Sequence, residues 1–115
     1  WIVNENLNFQ MVKFETANNQ GLFVKNNETL SEGDKVLLRL IPSKNLKVSL
    51  IIKNGNNSST IKNNFLLEKG KEISLPQAIS TNQSFFQVKG PSGKETFIIK
   101  DKNNQIIFEF SYIIN

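Results

Sequence analysis

Ten carboxylates are the first residues to test for chemistry: Glu5, Glu15, Glu28, Glu32, Asp34, Glu68, Glu72, Glu95, Asp101 and Glu109. General acid–base work needs two of them, or one and another base, converging in a cleft. They fall one per turn or strand end, which is the spacing of solvated edges. Glu109 stands apart because Phe108 and Phe110 flank it in an apolar run. Strand alternation turns it away from those rings and toward solvent. The chain has no histidine and no cysteine, which excludes imidazole bases, thiol nucleophiles, disulfides and histidine- or cysteine-held zinc. A serine nucleophile would need a lysine base, and "PSGKE" supplies Ser92 and Lys94. A serine between proline and glycine is ordinary turn chemistry, and that is the reading taken.

The same "GPSGK" run suggests a phosphate loop, but the G-x-x-x-x-G-K-[ST] spacing and the helix that must follow are missing. Calcium loops want clustered aspartates, and the chain has Asp34 and Asp101 alone. No catalytic, cofactor-binding or metal-binding residue is therefore expected, no cofactor either, and the chain reads as a non-enzyme.

Binding chemistry is weighed on charge and aromatics. The net charge is +4 and the pI about 9.4, with Lys44, Lys47, Lys53, Lys62, Lys69 and Lys71 in the middle third. An oligonucleotide-binding barrel would add exposed aromatics and arginines. Here the phenylalanines sit inside apolar runs and Arg39 is the sole arginine. Scattered lysines also blunt sheet edges, and no specific nucleic acid is expected. Glycan binding needs exposed Trp or Tyr, and only Trp1 and Tyr112 exist. Trp1 reads as a frayed end in preference to the mouth of a patch. Tyr112 reads as part of the last strand with its hydroxyl at the rim. An exposed aromatic pair beside lysines would favour glycan binding, and a flat polar surface would count against it.

The elements that must position these residues are short, β-branched or aromatic runs closed by Gly, Pro, Asn or Ser, which is strand punctuation. Phe9–Glu15 is a strand with Phe9 and Met11 on one face and Val12 and Phe14 on the other. Gly21–Lys25 follows an Asn18–Asn19 turn. After Gly33–Asp34, Val36, Leu38 and Leu40 share a face opposite Leu37, Arg39 and Ile41, until Pro42 ends the run. Leu46, Val48, Leu50 and Ile52 alternate in the next strand, and Asn54–Gly55 is the strongest hairpin signal. Its partner is expected at Ser59–Lys62. A turn at Gly70 leads to a strand through Ile73 and Leu75 that stops at Pro76, and a loop spans Gln77 to Gln83. Ser84–Lys89, Glu95–Lys100 and Gln105–Ile113 complete the set. No window holds a helical apolar stripe for three turns.

A chain of 115 residues is one domain, expected to bury roughly 65% of its unfolded surface. No apolar run approaches the ~20 residues of a membrane-spanning helix. Asparagine is the outlier at 17 residues, scattered through turns, and reads as codon bias. It brings four chance glycosylation sequons, at Asn27, Asn56, Asn57 and Asn82. The opening on Trp1 suggests a processed chain or a piece of a longer protein. The fold class expected is all-β: a single antiparallel β-sandwich over residues 1–115, of about seven to nine strands, immunoglobulin-like or a related Greek key, without significant helix.

Four of these signals, in order, resemble a bacterial family known as domain of unknown function family 4384. They are "EGDKVLLRLIPSKN", "LKVSLIIKNGN", "FLLEKGKEISLP" and "FFQVKGPSGKETFIIK". The resemblance covers about Gly21 to Lys100. Two departures are the aliphatic Leu46–Ile52, where the family has a Tyr-containing strand, and the trailing Gln105–Ile113. The family's members look like accessory modules attached to peptidases, kinases and envelope proteins, with no activity assigned, so no functional residue carries over.

The function expected is a non-catalytic interaction module of a larger bacterial protein, envelope-associated or exported, whose partner is a protein or neighbouring domains of the parent chain. The alternatives are a glycan or cell-wall-polymer binding module and, after it, a nucleic-acid-binding barrel. Its contacts are expected at a sheet edge, formed by Phe9–Glu15 or by Gln105–Ile113. The run "IIFEFSYII" is unusually apolar for a free edge and should be covered or paired in the parent protein.

Overall fold

Alternating apolar residues need a facing layer, and here two sheets supply it to each other. The computed structural model describes residues 1–15 and 20–115. The expected Asn18–Asn19 turn lies outside the described residues. In chain order the strands are β1 (Ile2–Val3), β2 (Leu7–Glu15), β3 (Gln20–Val24), β4 (Thr29–Leu30), β5 (Lys35–Pro42) and β6 (Leu46–Asn54). They continue with β7 (Asn57–Leu67), β8 (Ile73–Leu75), β9 (Phe86–Gln87), β10 (Gly93–Asp101) and β11 (Ile106–Ile114). Among the described residues no helix is present, and so none is long and apolar enough to cross a membrane.

One sheet centres on β2 and β5, with β1 and β3 both on the outer flank of β2 and β8 and β9 both on that of β5. The other runs β4-β11-β10-β6-β7. Every pairing is antiparallel except β4 with β11, a parallel contact at Thr29↔Ile113 and Leu30↔Ile114. The fold is the expected all-β sandwich, with that one departure from antiparallel pairing.

Leu7, Phe9 and Met11 of β2 and Val36, Leu38 and Leu40 of β5 face Val48, Leu50, Phe97, Ile99, Phe108 and Phe110 from the other sheet, all buried. Phe9 lies against Phe108 at 4.6 Å and Phe110 at 5.0 Å between ring centroids. Each such ring contributes about 1.5–3 kcal/mol by leaving water.

Several sequence expectations are corrected. The hairpin loop is Gly55–Asn56, since Asn54 pairs with Asn57. The positive φ sits at Gly55 (59°) and not at Asn54, which suits a glycine-first two-residue turn. The partner strand is all of Asn57–Leu67 and not Ser59–Lys62 alone. Register shifts opposite Val48–Ile51 and a φ of 52° at Asn64 break its alternation, so the bulged polar middle conceals its continuation. Ser84–Lys89 shrinks to Phe86–Gln87, while β1 and β4, two residues each, are too short for periodicity to reveal.

One expected edge is also reassigned. Phe9–Glu15 lies within β2, which is paired on both flanks, so it is no edge. The last strand lies on the outer flank of its sheet over most of its length, since β4 pairs with it at Ile113 and Ile114 alone. Beyond β4, the Asn26 Oδ1 accepts from the Ser111 N–H at 3.0 Å and the Asn27 N–H donates to the Ser111 carbonyl at 2.7 Å. The Asn4 Nδ2 donates to the Ile107 carbonyl at 3.0 Å. Three asparagines thus cover part of the most apolar strand of the chain from within, at Ile107 and Ser111.

Candidate functional site

β1 and β3 are collinear on the flank of β2. Ile2 pairs with Phe9 and Val24 with Met11, so the ladder is interrupted opposite Gln10. The break is a notch of about 410 Å³ lined by Trp1, Ile2, Phe9, Gln10, Phe23, Val24, Lys25 and Asn26. Trp1 is 48% exposed and Phe23 67%. Trp1 is therefore no frayed end: its ring lies over the Arg39 guanidinium, 4.9 Å from centroid to Cζ, a cation–π geometry.

Register holds that guanidinium in place. Arg39 is directly opposite Gln10, and its Nη1 donates to the Gln10 Oε1 at 2.8 Å. Its Nε and Nη2 both donate to the Glu72 Oε2, at 3.1 and 2.9 Å. The one arginine is thus held by an amide, a carboxylate and an indole, leaving its face to Trp1. Leu22 (44% exposed) and Ile2 (37%) lie on the core side of the same edge, opposite Lys13 and Phe9. The edge accordingly carries exposed apolar side chains on both faces.

A second concavity lies between the sheets at one end. Asn54, Glu95 and Tyr112 form one row across β6, β10 and β11 on the core side, above the row Ile52, Phe97 and Phe110. Glu95, expected at a solvated edge, instead points inward: its Oε1 accepts from the Tyr112 hydroxyl and its Oε2 from the Asn54 Nδ2 at 3.2 Å. The Tyr112 hydroxyl is correspondingly not at the rim, since the residue is 1% exposed. Burial, and then the hydrogen bond to Glu95 and its charge, push this hydroxyl far above the ordinary tyrosine pKa of 10.0. The space beside them, about 290 Å³, is lined by Val36, Ile52, Ile61, Phe86, Val88, Phe97 and the two polar residues, with Gln83, Gln87 and Lys89 also on its wall.

The lysines separate into groups. Lys47 and Lys53 stand on the outer face of the five-stranded sheet, where Lys53 shares a concavity with Lys94, Thr96, Ile98 and Glu109. Lys44 and Lys69 lie in adjacent turns, joined by Lys69 N–H to Asn45 Oδ1 at 2.8 Å. Lys71 pairs with Glu68 at 3.7 Å, and Lys62 is on the edge strand β7. Among the described residues no aromatic ring, on which a base would stack, lines these two outer concavities.

The remaining candidates are dispersed. Glu109 is exposed opposite Ile98, as alternation required. Ser92 is exposed in its turn, and no hydrogen bond joins it to Lys94. The Asp34 Oδ2 accepts from the Ser31 N–H at 2.9 Å. The Asp101 Oδ1 accepts from the N–H groups of Asn103 and Gln105. Both aspartates thus hold turns. Among the described residues no three potential metal ligands come together.

No family model matches the chain, and no curated protein matches it either.

Proposed function

We propose that the chain is a non-catalytic binding module of a larger bacterial protein, envelope-associated or exported, and that it takes an extended segment of a protein partner along the outer edge of β3. The observation that carries this is the edge itself: β3 has one flank on β2, and exposed Phe23 and Trp1 on one face are matched by Leu22 and Ile2 on the other. An added strand alternates its side chains between the two faces of a sheet, so it would use both sets at once. By contrast β7, the long outer strand of the other sheet, is blunted by Lys62, polar side chains and bulges. The resemblance to domain of unknown function family 4384 supports an accessory role. The strand orders β2-β5-β8 and β11-β10-β6-β7 follow the A-B-E and G-F-C-C′ orders of an immunoglobulin-like sandwich, and we take the fold to be of that kind.

The test is photo-crosslinking in cells from benzoylphenylalanine placed at Phe23, with Ser58 on β7 as the control position. A discrete, protease-sensitive adduct at Phe23 alone is expected. Equal labelling at the two positions, or none, overturns the assignment.

A specific observation favours glycan binding as the second reading: Trp1 and Phe23 are an exposed aromatic pair beside Lys25, Gln10 and Asn26. Trp1 is the only tryptophan, so its fluorescence reports the notch directly. A saturable change on titration with N-acetylglucosamine oligomers would establish this reading, and an unchanged spectrum would remove it.

A further inference from the structure

We propose that the inter-sheet cavity at Glu95 binds an alkylammonium group, with the carboxylate as counter-ion and Phe86, Phe97 and Tyr112 as walls. Glu95 faces the core side of its sheet, yet its two partners, the Tyr112 hydroxyl and the Asn54 amide, are neutral. Among the described residues no cation lies within 4.0 Å of it. Charges drawn away from water are ordinarily paired, because hydrogen bonds from neutral donors replace only part of the lost solvation. The carboxylate also keeps acceptor capacity, since two oxygens offer about four lone-pair directions and two are in use.

The walls specify which cation fits. Phe86 lies 5.6 Å from Phe97 and Phe97 lies 6.0 Å from Tyr112, each pair tilted by about 45°. Ile52, Ile61, Val36 and Val88 close the rest. A hard metal ion wants six or more oxygens and finds a single carboxylate. A methylated ammonium asks for no hydrogen-bond acceptors, sheds its water readily and is attracted by ring faces. Three rings and one carboxylate around a space of about 290 Å³ meet those needs. Among the described residues that line the space, Lys89 is the one cation. It is exposed and makes no ion pair with Glu95, so it stands at the mouth without filling the charge position.

The test is an NMR titration of the intact domain with choline chloride and, in parallel, with 3,3-dimethylbutanol, its uncharged carbon isostere. Choline should give saturable shifts at the amides of Phe86, Val88, Glu95 and Phe97, and the alcohol should bind about tenfold more weakly or not at all. Glu95→Gln keeps the shape and an acceptor for Tyr112, and should weaken choline by about the same factor. Equal affinity for the two probes, no saturation, or unchanged affinity in a folded Glu95→Gln protein overturns the proposal. If Glu95→Gln does not fold, the comparison of the two probes on the unaltered protein decides it alone.

Discussion

Replacing Asn4 tests whether the loop ahead of β2 ties the two sheets together. Its Oδ1 accepts from the N–H groups of Asn6 at 2.8 Å and Leu7 at 2.9 Å, while its Nδ2 donates to the Ile107 carbonyl of the opposite sheet. Asn4→Ala removes all three bonds. Leu7 is fully buried, so its N–H is left without water or partner, at about 1–3 kcal/mol. The other two groups are half-buried and add about 0.5–1 kcal/mol each. The sum is about 2–5 kcal/mol, which lowers the melting temperature by roughly 8–20 °C in a domain of this size. Asn4→Asp keeps both acceptor bonds and loses only the donor to Ile107, so it should cost about 0.5–1 kcal/mol. Urea and thermal unfolding followed by far-ultraviolet circular dichroism give both values. The reasoning is refuted if Asn4→Ala costs under about 1 kcal/mol, or if Asn4→Asp is as damaging as Asn4→Ala. Loss of the cap also uncovers part of β11, so the alanine variant should aggregate faster at equal fraction unfolded.

Two further outcomes follow from single residues. Asn27 holds a φ of 67° while donating to Ser111, so Asn27→Ala should cost about 1 kcal/mol and Asn27→Gly only a few tenths; equal urea midpoints for the two would contradict the left-handed assignment. Tyr112 is the only tyrosine, and its pKa in the folded chain lies above the ordinary 10.0. The folded state then binds more protons than the unfolded one in alkali, so this contribution is complete below pH 10 and is lost as pH rises beyond it. Urea midpoints should fall above pH 10 in the wild type and fall less in Tyr112→Phe, and parallel profiles would dismiss the buried Tyr112–Glu95 contact.

Strand alternation is a local property, and the sequence by itself determined what depends on it. The inward faces Phe9–Met11, Val36–Leu38–Leu40 and Val48–Leu50, the outward turn of Glu109 and the all-β class follow from side chains alternating across a pleat. The halt after Leu75 at Pro76 follows likewise from the missing N–H of proline. Where alternation fails, legibility fails with it. The bulges of β7 and the two-residue β1 and β4 carry no period to read. Glu95 precedes a run, Phe97–Ile98–Ile99, that is apolar on both faces, so nothing local says which way it points. Only its pairing with Asn54 and Tyr112 turns it inward.

The candidate sites were decided by tertiary structure for the same reason. Gln10 and Arg39 are 29 positions apart and meet because the β2–β5 register places them opposite. Trp1 then finds the guanidinium because β1 begins where β3 ends on the same flank of β2. The asparagines attributed to codon bias include Asn4, Asn26 and Asn27, whose amides and backbone cover part of β11 across as many as 103 positions. A composition records how many such side chains exist. Which backbone groups they reach is fixed by the packing of two sheets, because a hydrogen bond needs a partner within about 3 Å and only the folded chain brings one there.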